Sequence, residues 1–185
     1  MALLPIIIAP DPRLKLIAAP VGRVDDEVRR LMNDLLETMY QAPGVGLAAP
    51  QVGVLKRVIV VDASAKDAEP APLRMANPEL IEASDEDAKY EEGCLSLPEH
   101  YAEVVRPARV RLRYLDYENE ILELDAEGLL GTCIQHEMDH LDGILFVDLI
   151  SALKRNMILR KLTKFKKAEA KKAEETPAGV SAAAE

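Results

Sequence analysis

The chain contains no tryptophan, two phenylalanines, three histidines and only two cysteines, Cys94 and Cys133. Two thiols are too few for a disulfide framework, so each is weighed as a metal ligand or a small core residue, and a reducing, cytoplasmic setting is expected. There is no apolar run long enough to cross a bilayer. The stretch Leu3 to Ala9 is broken by Pro5, bounded by Pro10 and preceded by no basic segment. No internal repeat is present. At 185 residues, 49% hydrophobic and 30% charged, the chain is sized and composed for one domain with a core, which sets aside fibrous, membrane-spanning and wholly disordered classes.

Charge is unevenly placed. The net charge is -9, yet residues 154–172 carry nine lysines and arginines against the single acid Glu169. A basic arm therefore follows an acidic body. It is either a solvated helix extending past the domain or a surface for a polyanion, with nucleic acid or an anionic membrane as candidates.

Periodicity predicts a helix over residues 25–41, where Val28, Leu31, Met32, Leu35, Leu36 and Met39 repeat at helical spacing and Asp25 or Asp26 caps the start. Residues 41–53, rich in Gly, Ala and Pro, read as loop, and residues 57–62 as a short buried strand around Val58-Ile59-Val60-Val61. An irregular excursion over 63–72, a strand over 75–83 and an acidic turn from Ser84 to Asp87 follow. Val110, Leu112 and Tyr114 alternate with Arg109, Arg111 and Arg113, and a return strand from Ile121 to Leu124 makes an antiparallel hairpin. A helix from Gly128 to Leu141 closed by Gly143, an apolar connector, a last helix from about Ser151 and a disordered tail beyond Ala173 complete the pattern. The class is α+β, mostly antiparallel, with helices at both ends and a metal-binding helix at the centre.

His136-Glu137-Met138-Asp139-His140 sets two imidazoles four residues apart, so that on a helix both rings point the same way with a carboxylate beside the first. With His136 at zero, Leu129, His140 and Cys133 fall within about 60° of it and Glu137 at about 100°. Leu130, Ile134, Met138 and Leu141 form a separate core stripe between about 120° and 200°. Asp139 lies on neither stripe and is either an acceptor orienting a neighbour or solvated. Catalytic metal sites keep three protein ligands and an open position. No histidine follows His140, so the third ligand is upstream or a carboxylate. Cys94, kinked between Gly93 and Pro98, completes a thiolate and two-imidazole set for a divalent transition metal. Cys94 can otherwise be a small buried hydrophobe or a nucleophile paired with a histidine, the latter leaving Glu137 and the second histidine idle.

Three segments together resemble the peptide deformylase family: Gly44-Val45-Gly46-Leu47-Ala48-Ala49-Pro50-Gln51, Glu92-Gly93-Cys94-Leu95-Ser96, and the His136 to His140 pentapeptide, all complete and in the family order. The likeness runs from Pro5-Ile6 to about Ser151. It implies an amide hydrolase that removes the N-formyl group from the terminal methionine of newly synthesised proteins and releases formate, by attack of metal-bound hydroxide. It implies Cys94, His136 and His140 as ligands, Glu137 as general acid and base, and the Gln51 side-chain amide and Leu95 backbone N–H facing the substrate oxygen. Gly46 would bind substrate backbone, Val45, Leu129, Cys133 and His136 would form the methionine pocket, and Glu92 with Arg106 would be a buried supporting pair. The implied cofactor is one divalent ion, iron(II), with zinc, nickel or cobalt as substitutes. The expected organisation is a catalytic domain, 1–153, and a basic helical arm with tail, 154–185. N-formylmethionyl nascent chains are the expected partners, with the ribosome reached through the arm, and no DNA. The rivals are a zinc peptidase on the same helix, or a metal-stabilised ribosome-binding module without activity.

Overall fold

A computed structural model describes residues 2–65 and 67–175. Helix α1 (Asp26–Gln41) begins where the Asp25 carboxylate accepts the backbone N–H groups of Glu27 and Val28, satisfying two donors that the first turn leaves free. Its stripe of Val28, Met32, Leu35 and Met39 is buried. Two short strands follow, β1 (Gly46–Ala48) and β2 (Val58–Val61), joined by a 3₁₀ turn over Ala49–Val52. Residues 41–53, expected to be loop, thus hold a strand and a turn; with only three residues, β1 is too short to print a period on the sequence.

Strands β3 (Leu73–Ala83), β6 (Arg109–Leu115) and β7 (Ile121–Glu127) complete a five-stranded antiparallel sheet in the order β1-β2-β3-β6-β7. Val58 and Val60 pack with α1, and Ile59 and Val61 pack toward the central helix α2 (Gly128–Leu141). β2 is therefore covered on both faces, which is why it reads as an uninterrupted apolar run.

Strands β4 (Asp87–Cys94) and β5 (Leu97–Pro107) form a separate two-stranded hairpin that residues 84–107 did not announce. Cys94 is the last residue of β4, paired with Leu97 across the turn Leu95–Ser96, and the register shifts between Gly93 and Cys94. The hairpin packs on a third cluster that includes Ile7, Leu14, Leu97, Val104, Phe146 and Leu162.

Helix α2 ends at Leu141 with Asp142 as its cap, and Gly143 follows at φ +71°, where a Cβ would lie 2.6 Å from the Lys15 carbonyl oxygen; glycine is required both by the left-handed turn and by the close chain. Helix α3 (Ala152–Glu175) buries Leu162 and partly buries Ile158 and Leu159 against the third cluster. Lys166 Nζ donates to the Ile8 carbonyl at 3.0 Å, so the first part of the basic helix is seated on the body. Glu174 and Glu175 are helical, and the expected disordered tail otherwise lies outside the described residues. Among the described residues no helix is long and apolar enough to cross a membrane.

Candidate active site

Helix α2 carries the reactive stripe as its spacing requires. Ile134 and Leu141 are fully buried in the core against the sheet, and Leu130 and Met138 pack partly beside them. Cys133, His136, Glu137 and His140 are all buried on the other stripe, and Leu129 lies half exposed at the cleft mouth. His136 and His140 sit edge to face with ring centroids 5.1 Å apart, and Phe146 stacks on His136. Phe146 has no motif around it and was not singled out from the sequence.

The ligand-capable atoms of Cys94, His136 and His140 all lie within 4.8 Å of one another, and His140 Nε2 is 3.2 Å from Cys94 Sγ. That spacing fits donors converging on one transition-metal ion at bond lengths of about 2.0 to 2.3 Å. His136 Nδ1 donates to Glu92 Oε2 at 2.8 Å, which fixes the tautomer and leaves Nε2 available to a metal ion. Burial pushes His140 well below its ordinary pKa, with His136 adding to the effect, so His140 is neutral as a ligand must be. Burial also disfavours a charged His136, but its hydrogen bonds with Cys94 and Glu92 outweigh that and hold its pKa well up. A cation must therefore displace a proton there on binding.

Glu92 and Arg106, far apart in sequence but facing inward from β4 and β5, form a buried two-pronged pair, Nε to Oε1 at 2.6 Å and Nη2 to Oε2 at 3.0 Å. Burial raises the Glu92 pKa, and the bonds from His136 and Arg106 reverse it, so the net direction is down and Glu92 stays ionised. Arg106 Nη1 also donates to Asp139 Oδ2 at 2.8 Å, which settles the open alternative for Asp139: it ties α2 to the hairpin.

Glu137 is pushed up to about 7, first by burial and further by Glu92 and Asp139, with His136 and Arg106 opposing. Its Oε2 is a buried polar atom without a hydrogen-bond partner among the described residues, and its Oε1 faces Gly46, where a Cβ would lie only 2.4 Å away. Gly46 is thus a glycine because Glu137 and the Cys133 sulfur occupy the space of a side chain. The Cys133 thiol is raised well above its usual pKa, by burial first and then by Glu137 and Glu92, and it donates to the Val45 carbonyl at 3.4 Å. It is a wall of the site and not a second nucleophile.

Gln51 is buried, with Oε1 accepting from the Ala48 N–H at 2.8 Å and Nε2 lying 3.5 Å from Cys94 Sγ and 3.1 Å from Ser96 Oγ. Its amide therefore turns one donor toward Ser96 and the other toward Cys94. Leu95 occupies the turn directly after Cys94. Val45, Gly46, Leu95, Leu129, Cys133, His136 and Glu137 line one cleft of about 440 Å³. A larger open groove of about 750 Å³ between Glu82, Arg109 and Asp125 contains none of the ligand residues and is rimmed by charges, so the chemistry belongs to the smaller cleft.

Residues 3–156 match the family described as polypeptide deformylase. The chain belongs to that family. A peptide deformylase of Phenylobacterium zucineum is 58% identical over 168 residues, covering 91% of this chain and 99% of the relative. The crystal structure of the Ehrlichia chaffeensis peptide deformylase superposes with a TM-score of 0.87 at 37% identity, covering 91% of this chain and 99% of that one. The Acinetobacter baumannii peptide deformylase, solved with Met-Ala-Ser bound, gives a TM-score of 0.76 at 39% identity over 80% of this chain and 99% of that one. The family assignment disfavours both rivals, and with it the antiparallel α+β class stands.

Proposed function

We propose that Cys94, His136 and His140 hold one divalent cation, iron(II) in the cell with zinc, nickel or cobalt as substitutes, and that Glu137 serves it as general acid and base. As a member of this family the chain is an amide hydrolase of translation, removing the N-formyl group from newly made polypeptides. The observation that carries the residue roles is the convergence of one sulfur and two imidazoles beside a buried glutamate whose Oε2 has no hydrogen-bond partner among the described residues.

The formyl amide resists water because its carbonyl is weakly electrophilic and its amine leaves poorly. Held by Cys94, His136 and His140, a dication would supply a water of lowered pKa, from about 15.7 to about 7, and a Lewis acid for the carbonyl. Glu137 accepts the proton of the attacking water and returns it to the departing amine nitrogen, so formate and a free N-terminus result. A carboxyl lifted to about 7 by burial can hold that proton in between. Negative charge gathering on the formyl oxygen would be met by the Gln51 Nε2–H and the Leu95 N–H, and donors fixed beforehand stabilise it without reorganising. Val45, Leu129 and Cys133 receive the methionine side chain, and Gly46 offers its backbone to the substrate. A Met-first peptide bound to the Acinetobacter baumannii relative supports a methionine-first substrate.

The deciding experiment is anaerobic purification, metal quantification and formate release from a formyl-methionyl peptide beside its acetylated counterpart. Stoichiometric iron and rapid release from the formyl peptide alone are expected. Equal cleavage of the acetylated peptide, or of an unformylated one, would overturn the reading.

The organisation proposed is a catalytic domain, 1–153, and an arm, 154–185, working in the cytoplasm. Arg160, Lys161, Lys164 and Lys167 face solvent on α3, and a row of exposed cations suits ribosomal RNA, near which formylated chains emerge. Replacing these four by glutamate is expected to reduce co-sedimentation with ribosomes while formate release from a free peptide stays within about twofold. Full-strength co-sedimentation of that variant would remove the arm from ribosome binding.

A further inference from the structure

The turn Leu95–Ser96 contributes more to the cleft than Leu95. Ser96 is fully buried, its Oγ lies 3.1 Å from Gln51 Nε2, and its carbonyl accepts the Ala9 N–H at 2.9 Å. The orientation of the Gln51 amide follows from its two ends. At one end the Ala48 N–H needs an acceptor, which puts Oε1 there at 2.8 Å and Nε2 on the side of the sulfur. At the other end Nε2 has two hydrogens, and a hydroxyl at hydrogen-bond distance takes one of them. The remaining hydrogen is directed toward Cys94, 3.5 Å from the nitrogen.

We propose that Ser96 is a positioning residue: its hydroxyl holds the Gln51 amide so that the second Nε2–H stays on the Cys94 side of the site, where it is available to the developing oxyanion. Without Oγ the amide keeps its anchor at Ala48 but pivots about it. A donor that must be realigned during the reaction stabilises the intermediate less than one fixed beforehand. The inference rests on the reading of Gln51 as an oxyanion donor. It gives three consecutive residues three separate tasks: Cys94 binds the cation, Leu95 supplies a backbone donor, and Ser96 steadies the side-chain donor.

Ser96→Ala tests this with little risk to folding, because the bond from Ala9 uses the Ser96 backbone and the change only removes an atom. In the metal-loaded enzyme kcat is expected to fall on the order of tenfold, less than the 10² to 10³ expected when the donor itself is lost, with KM and metal content unchanged. Gln51→Ala carries that larger loss, and Ser96→Ala in the Gln51→Ala background is expected to cost nothing further. In the metal-free protein the Gln51 side-chain amide resonances, assigned by their disappearance in Gln51→Ala, are expected to shift in Ser96→Ala while those of Gln41 and Gln135 stay.

A Ser96→Ala loss of equal size in both backgrounds would mean that Ser96 acts through Cys94 or the fold, and would overturn the proposal. So would unmoved Gln51 resonances, or full kcat in Ser96→Ala beside a slow Gln51→Ala. A Gln51→Ala enzyme at full speed overturns the underlying oxyanion reading itself, a result distinct from either of these. Should Ser96→Ala fold poorly, Ser96→Gly carries the same comparison.

Discussion

Helix α2 delivers His136, Glu137 and His140 from one continuous element, whereas Cys94, Leu95 and Gln51 approach the same cluster from the end of β4, the turn after it and a 3₁₀ turn far upstream. On the helix the relative positions of the groups follow from its own backbone hydrogen bonds, and Asp139 to Arg106 is one of the few ties it needs. Across the cleft the groups sit on separate segments, held in register by the β4–β5 pairing and by single hydrogen bonds between segments. Gln51 is placed by bonds to Ala48 and Ser96, and the strand ahead of it by the Cys133 to Val45 contact. Substitutions on the helix side therefore remove a function, while those on the turn side loosen one.

The comparison is broken most sharply at Cys94, the one proposed metal ligand on the turn side. Cys94→Ala should lose tight metal binding and fall to background deformylation; full metal occupancy by elemental analysis would put a carboxylate in its place. On the helix, Glu137→Gln keeps the charge-neutral shape and the metal but cannot carry the proton, and kcat should drop about 10² to 10⁴. Near-normal formate release in that variant would remove Glu137 from the mechanism. Gly46→Ala tests the contact between the halves: a methyl 2.4 Å from Glu137 Oε1 has to displace the carboxylate, and a shift of about an ångström costs on the order of 10² in rate with the metal retained. A fully active Gly46→Ala enzyme would mean that Glu137 tolerates relocation.

A last prediction concerns the stability of the metal-free protein. The Glu137 pKa is raised by folding from 4.5 to about 7, so the folded state binds the extra proton in that window. Its contribution is complete below about pH 4.5 and is lost as pH rises through 7, an effect of about 3 kcal/mol. His136 and His140 also titrate differently in the folded and unfolded states over this range, so the Glu137 contribution is read as the difference in denaturant midpoint between the wild-type protein and Glu137→Gln, which should fall from pH 5 to pH 7.5. Metal loading should reduce that fall, because a neighbouring cation favours the ionised carboxylate.

The two halves were unequally legible. The α2 stripe, the α1 stripe and the β2 run could be read from spacing, because burial alone dictates those patterns. The β4 and β5 hairpin could not, and the residues responsible are informative. β4 is exposed along most of its length, so it lacks alternation, and its one buried position holds Glu92. β5 alternates inward through Ala102 and Val104, then places Arg106 where an apolar side chain is expected. The charged pair that spoils the strand signal is the pair that orients His136. Local rules fail there because the site needs them to. The family likeness supplied that pair, and the geometry supplied Asp139, Phe146 and the Ser96 contact.

The N-terminal segment runs behind the turn side, its Ile7 N–H donating to the Gln51 carbonyl at 2.7 Å and its Ala9 N–H to the Ser96 carbonyl at 2.9 Å, while Lys166 takes the Ile8 carbonyl from the opposite edge. Those two amides form a natural strain gauge. Their deuterium uptake registers how firmly the catalytic turn is clamped, without a probe, a ligand or an altered side chain anywhere near the reacting atoms.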